Sequence, residues 1–409
     1  MFFFLHTYCA KIAGSTGKGE KSRARREPMK LLHISDCHIG KKYDRYKEDK
    51  TVRDKVVRAR LDAVERAVEI ANQEKCGAMV MAGDIFDNFS VTKTMIKEVC
   101  HCLNQFEHGT VWVLPGNHDF YNLEHSGSRE LWECFQEYSE DTIHVFTKNE
   151  PVLAQIDGEE VTFYPCICHD KHSAENALGW VREAQPDSAR INIGVAHGSL
   201  DGLSLDQDGS YYSMSPEELN EIPMDVWLLG HAHVAFPELE YGQQINGKTI
   251  YNAGTPQQVS INNRTDGSVF LIEIGEDKKI SAVKKKTGSV FFREHTITVS
   301  QKEDLLDAVR QNLEQLSDIE NTLLRLSVTG TTNADGYRRR HEIEAMVAQK
   351  ALFCDKAVDM DNLSEEITES MIDEKTVKGS IENQLLHRYF GKPEELELAM
   401  NLIMRCKEK

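Results

Sequence analysis

Short apolar runs alternate with stretches of helical period along the first third of the chain. Residues 30–34 (KLLHI), 78–82 (AMVMA) and 111–114 (VWVL) are four or five residues long and bounded by Gly, Asp, Asn or Pro. That is the length and setting of buried strands. Between the first two, residues 58–75 carry Leu61, Val64, Val68 and Ala71 at helical spacing, and residues 92–106 make a second helix before the third strand. This rhythm predicts right-handed crossovers and a largely parallel first sheet. Residues 121–190 are irregular, with a helix near 128–137 and strands near 152–155 and 161–164. Residues 191–196 and 226–229 read as two more buried strands. Strands at 248–251 and 268–274 follow without helices between them, which predicts a second sheet. Lys284, Lys285, Lys286 and Gly288 read as a linker. Beyond it, strands at 295–299, 322–328 and 356–360 with helices at 302–316 and 336–352 make a small α+β unit, and a helical segment runs from about 364 to the end. The expected divisions are a basic, aperiodic extension over 1–28, disordered or able to touch nucleic acid, then bodies over 29–283 and 290–362, and a C-terminal helical segment over 363–409.

Each of the five buried strands ends in groups able to bind a cation. They end in Asp36-x-His38, Gly83-Asp84, Gly116-Asn117-His118, His197-Gly198 and Gly230-His231-x-His233. Residues two apart in an extended segment face one side, and ligands of open α/β sheets gather at the carboxyl ends of strands. One such motif alone is ordinarily a polar loop; five in succession predict convergence on one edge. Carboxylate, amide oxygen and imidazole without thiolate suit Mn²⁺, Fe²⁺ or Zn²⁺. So many groups are too many for one ion and right for two, which can clamp the attacking and leaving oxygens of a phosphoryl displacement. A shared ligand must be a carboxylate, and Asp84 is central in the set.

Composition narrows this only in places. With 40% hydrophobic and 28% charged residues, the chain is ordinary for a soluble globular protein. No stretch approaches the roughly 18 apolar residues of a membrane span, and the opening MFFFL is too short for a signal-peptide core. Ten scattered cysteines without a C-x-x-C pair read as reduced thiols in a cytoplasmic protein. The net charge of −18 argues against nucleic-acid binding through global charge; it leaves room for a local basic groove. The loop over 41–54 is a candidate for one, with Lys41, Lys42, Arg45 and Lys47 interleaved with Tyr43 and Tyr46 as possible DNA-backbone contacts. A solvated loop is the alternative.

The five strand-end motifs, in this order, resemble those of the calcineurin-like metallophosphoesterase superfamily. LLHISDCHIGK at 31–41, MAGDIFDN at 81–88, LPGNHD at 114–119 and YNAGTPQ at 251–257 are similar to one branch, the SbcD-type DNA repair exonucleases. The resemblance covers about residues 29–275. It implies an α/β fold: a two-sheet sandwich flanked by helices, with a small α+β capping domain at 290–362 and C-terminal helices where the family binds its partner, the last two by element order and position alone. It implies one metal on Asp36, His38, Asp84 and His233, and a second on Asp84, Asn117, His197 and His231, with Mn²⁺ the favoured ion. His118 would face the phosphate without binding metal, and Asp87 would orient it, or else be a turn residue. The activity implied is a metal-dependent DNA nuclease, homodimeric, working with an SbcC-like coiled-coil ATPase. A small-molecule phosphodiesterase or nucleotidase of the same superfamily is the alternative that the acidic charge favours; a catalytically weak scaffold for the ATPase is the other.

Overall fold

The computed structural model describes residues 27–203, 209–263, 265–355, 357–365, 369, 372–373 and 376–407; the expectation for the basic extension falls almost wholly outside them. The strands are β1 (Met29–Ile34), β2 (Ala78–Ala82), β3 (Thr110–Leu114), β4 (Ile143–Val145), β5 (Val152–Ile156), β6 (Glu159–Cys166), β7 (Ile191–His197) and β8 (Val226–Gly230). They continue with β9 (Gln244–Asn246), β10 (Ile250–Asn252), β11 (Ser268–Ile274), β12 (Ile280–Lys286), β13 (Phe291–Val299), β14 (Thr322–Thr332), β15 (Phe353–Cys354) and β16 (Leu363–Glu365). The first sheet has the order β4-β3-β2-β1-β11-β12-β9 and the second β10-β8-β7-β6-β5. Strands β1 to β4 are parallel, whereas β11 and β12 are antiparallel additions.

Alternation along the strands builds the layers. In β1, Met29 and Leu31 face the second sheet, where they meet Val161, Phe163, Val195 and Leu228. Leu32 and Ile34 face the other way, onto the helices α1 (Lys50–Gln73), α2 (Lys93–Leu103) and α3 (Ser126–Tyr138). The second sheet's outer face, with Tyr164, Trp227 and Leu229, packs on Leu178, Val181 and Leu219 of the segments around α4 (Gly179–Glu183) and α5 (Pro216–Glu221). The result is a two-sheet α/β sandwich with helices outside both sheets, as the resemblance implies.

Three local expectations change. Helix α1 starts at Lys50, capped by the Asp49 carboxylate on Val52 N at 3.0 Å; the charged first turns hide the buried Val52 and Val56. Strand β11 joins the first sheet beside β1, not the second. The three lysines at 284–286 continue β12: Lys284 lays its stem inward and donates to the Leu239 carbonyl at 2.9 Å, and Lys285 pairs with Glu74 at 2.7 Å. Long lysine stems cover apolar surface while the ammonium finds a partner, so the linker is shorter, 287–290.

A third sheet, β13-β14-β15 with β16 on β14, packs on α6 (Leu305–Gln315) and α8 (Glu342–Lys350) around Leu305, Val309, Leu326, Val328 and Val347, with α7 (Ala334–Arg339) alongside. Leu363 to Glu365 pair with Gly330 to Thr332, so the expected division at 362/363 separates β16 from the sheet it belongs to. Helices α9 (Ile381–Tyr389) and α10 (Pro393–Lys407) share a separate small cluster with Ile372. No helix among the described residues is long and apolar enough to cross a membrane.

Candidate metal centre

The five motifs meet at one end of the sandwich. They come from two sheets, not from one sheet edge: β1, β2 and β3 deliver the Asp36, Asp84 and Asn117 groups, and β7 and β8 deliver the His197 and His231 groups from across the interface. Asp36, His38, Asp84 and His231 have positive φ of 56°, 44°, 53° and 95°, a strained region for non-glycine residues that clusters at functional sites. Glycines let the turns approach. A Cβ at Gly83 would overlap His197 Nδ1, one at Gly116 the Asp84 carboxylate, and one at Gly230 the Ala82 carbonyl.

Three groups of side chains have their donor atoms within 4.8 Å of one another: Asp36, His38 and His233; His38, Asp84 and His118; Asp84, His197 and His231. His38 Nε2 and His233 Nε2 lie 2.8 Å apart, and Asp36 Oδ1 lies 3.6 Å from His233 Nε2. Asp84 Oδ2 lies 3.7 Å from His38 Nε2 and 3.4 Å from His197 Nε2, between the two outer groups. Asn117 Oδ1 lies 3.0 Å from His197 Nε2 and 3.2 Å from His231 Nδ1. All seven sequence-predicted ligands are therefore together.

The surrounding bonds fix ring orientation. His197 Nδ1 donates to the Ala82 carbonyl at 2.9 Å, leaving Nε2 toward Asp84 and Asn117. His231 N donates to both oxygens of Asp36 at 3.0 Å. His118 N donates to Asp84 Oδ1 at 2.8 Å, and its Nδ1 donates to the main-chain carbonyl of Asp87 at 2.7 Å. Orientation of His118 therefore runs through the Asp87 carbonyl. The Asp87 carboxylate turns instead to His38 Nδ1 at 3.4 Å and Lys41 at 3.5 Å.

The electrostatics separate the groups. Burial, helped by the Asp84 charge, pushes the Asp36 carboxyl up to about 7. Burial also opposes ionisation of Asp84, but His197 overrides it and holds that carboxyl well below its ordinary range. Burial would lower His197, yet the Asp84 charge raises it to about 9. Burial lowers His38 and His233, which favours the neutral, ligating imidazole. Two buried carboxylates repelling each other at such a spot gain when each faces a cation. Burial also pushes the neighbouring Cys37 and Cys168 thiols up, so neither offers a thiolate. The donor set thus fits hard-to-borderline divalent ions.

The proposed DNA contacts do not share one environment. Arg45 pairs with the buried Asp355 of the third sheet's flank, Tyr46 stacks edge-on against Phe353, and Tyr43 stacks on Phe292. The loop is a docking surface for the third sheet there; Lys42, Lys47 and the paired Arg45 remain exposed, with Lys41 held by Asp87. Sequence reasoning passed over two site residues. Asp119 accepts from Phe86 N at 3.0 Å and Gly116 N at 2.7 Å, tying two metal turns together. Arg60 lies buried beneath the Asp36 turn. Its signal was its place in the apolar stripe between Val56 and Val64.

The calcineurin-like phosphoesterase family matches residues 29–235, just over half of the chain. Among solved structures, the chain is similar to TT1561 of Thermus thermophilus, with 10% identity, 64% of this chain and 99% of that one covered, and a TM-score of 0.37. It is also similar to a dimetal phosphatase from Danio rerio, with 10% identity, 63% and 99% covered, and a TM-score of 0.34. No curated protein matches the sequence.

Proposed function

The chain belongs to the calcineurin-like phosphoesterase family, and from that premise we propose that it is an Mn²⁺-dependent DNA nuclease of the SbcD type. Asp36, His38, Asp84 and His233 would hold one ion, and Asp84, Asn117, His197 and His231 the other. The chemistry such ions supply is Lewis-acid stabilisation of the attacking and leaving oxygens of an in-line displacement. His197, locked by the Ala82 carbonyl, keeps one fixed nitrogen for ligation. His118, its Nδ1 committed to Asp87, keeps Nε2 to stabilise the transferring phosphoryl group or to protonate the leaving oxygen.

The observation that carries DNA over a small ester is the 251–257 segment. Its sequence bears the closer resemblance, and it joins the metal turns to the third sheet. Ser35 Oγ donates to the Gly254 carbonyl at 2.8 Å, Gln257 donates to the Val290 carbonyl, and neighbouring Gln258 donates to the Phe292 carbonyl at 3.0 Å. An appended unit seated at the rim of the site suits a long polymer substrate. The net charge of −18 and the engaged Arg45 favour the small-molecule reading. The test gives the purified protein Mn²⁺ with linear DNA, hairpin DNA and bis-p-nitrophenyl phosphate in parallel. Metal-dependent shortening of DNA is the expected result. Hydrolysis of the small ester alone would transfer the protein to the second reading.

The partner follows from the tail. Ile381, Leu398 and Leu402 are 86%, 61% and 51% exposed, and an amphipathic helix pair of this kind suits a groove on another protein. The proposed occupant is the coiled-coil ATPase. Truncation after Glu365, which spares β16, is expected to leave hydrolysis intact and to abolish co-purification with a co-expressed SbcC-like coiled-coil ATPase. Unchanged binding by the truncated protein would rule the tail out.

A further inference from the structure

Among the described residues Arg60 is the largest charged side chain in the interior, with a relative exposure of 1%. A buried guanidinium is ordinarily paired with a carboxylate, because its charge is costly to desolvate. This one has no such partner among the described residues. Its acceptors are neutral oxygens: the Cys37 carbonyl at 2.6 Å, the Tyr43 hydroxyl at 3.1 Å, the Asp36 carbonyl at 3.2 Å, and the Gln257 carbonyl and Thr255 Oγ1 at 3.4 Å. Five N–H donors thus meet five acceptors, which explains how the charge is tolerated.

The choice of acceptors says what the charge is for. Asp36 and Cys37 form the turn that leads to His38, and Asp36 and His38 both hold left-handed backbone. Left-handed backbone is strained for a non-glycine residue, so the turn persists only where its surroundings over-determine it. Asp36 N and His38 N bond Gly83 and Asp84 carbonyls at 3.0 and 2.9 Å. Those bonds fix the turn's donor side. Arg60 fixes its acceptor side, with Thr255 Oγ1 adding a bond to the Asp36 carbonyl at 3.1 Å.

We infer that Arg60 is a positioning residue of the metal centre: by holding the Asp36 and Cys37 carbonyls it sets the turn that aims Asp36 and His38 at the first ion. None of the hydrogen bonds of Arg60 among the described residues goes to the second ion's own groups, Asn117, His197 and His231; His231 reaches the turn through its main-chain N–H on the Asp36 carboxylate. The role rests on the two-metal reading above and is separable from it. Arg60→Met keeps the apolar stem and removes every donor. Arg60→Lys keeps the charge but reaches fewer of the five acceptors.

The experiment is titration of the purified full chain with Co²⁺, read by calorimetry and by visible absorption, with thermal melting in parallel. His233→Ala identifies which binding step belongs to the first site. In Arg60→Met the first site is expected to weaken about 10–100-fold, the range for losing a group that orients a ligand, with the second site unchanged and Arg60→Lys intermediate. Equal weakening of both sites in step with a lowered melting temperature would reduce Arg60 to general stability and overturn the proposal. So would wild-type affinity at both sites in either variant. If Arg60→Met does not fold, Arg60→Lys carries the test alone, since a first site as tight as in wild type refutes the role. Fewer than two ions bound by the wild-type protein would instead sink the two-metal reading.

Discussion

Asp84→Ala is expected to abolish hydrolysis and to lower metal occupancy more than any other single substitution. The carboxylate sits between the two outer ligand groups, with Oδ2 at 3.7 Å from His38 Nε2 and 3.4 Å from His197 Nε2. Asp36, the other carboxylate of the site, is turned to His231 N and lies beside His233 in the first group, so it does not take over the shared position. Loss of the shared ligand removes the Lewis-acid stabilisation, worth several kcal/mol, so activity falls by at least about 10³-fold. His118 also loses the acceptor of its main-chain N–H. Folding is checked separately, because Asp84 repels the buried Asp36 but is held ionised by His197, a pairing the variant loses. Metal analysis of the variant beside its melting curve checks both points. Two ions at full occupancy in Asp84→Ala would refute the bridging role.

The convergence of seven donor groups was legible because each motif is local. A short apolar run that stops at Gly, Asp or His reads as a strand end whatever packs around it, and the sheet rule then places those ends together. What the pattern could not convey is which strands are neighbours. Strand β11 alternates like an antiparallel strand and pairs in that sense with β1, more than two hundred residues away, but nothing local encodes that choice of neighbour. Charge misled at Lys284, which reads as solvent-facing, but its stem is buried and its ammonium meets the Leu239 carbonyl and the Tyr241 ring. The basic loop reads as a nucleic-acid contact or a solvated loop, and neither reading carries the contacts that Tyr43, Arg45 and Tyr46 make with the third sheet's flank. Arg60 was hidden for the converse reason: its partners are main-chain carbonyls, which have no sequence signature.

His118→Leu is the second large effect, expected to keep both ions and to lower turnover on DNA by about 10²–10⁴-fold, the usual worth of a positioned acid or base. The claim is exposed to a direct rival, because the ring of His118 lies within 4.8 Å of donor atoms of His38 and Asp84 and could itself be a ligand. Its Nδ1 is spent on the Asp87 carbonyl at 2.7 Å, which leaves a single nitrogen to be either ligand or acid. Metal analysis separates the two, since loss of an ion in the variant makes His118 a ligand. The leaving group then separates its two possible actions on substrate. Cleavage of DNA expels an alkoxide that needs a proton, whereas bis-p-nitrophenyl phosphate expels a phenolate that leaves unaided. If His118 protonates the leaving oxygen, His118→Leu loses far more on DNA than on the activated ester. If it stabilises charge on the transferring phosphoryl group, both substrates lose equally. An unchanged rate on both, with both ions in place, would remove His118 from the machinery.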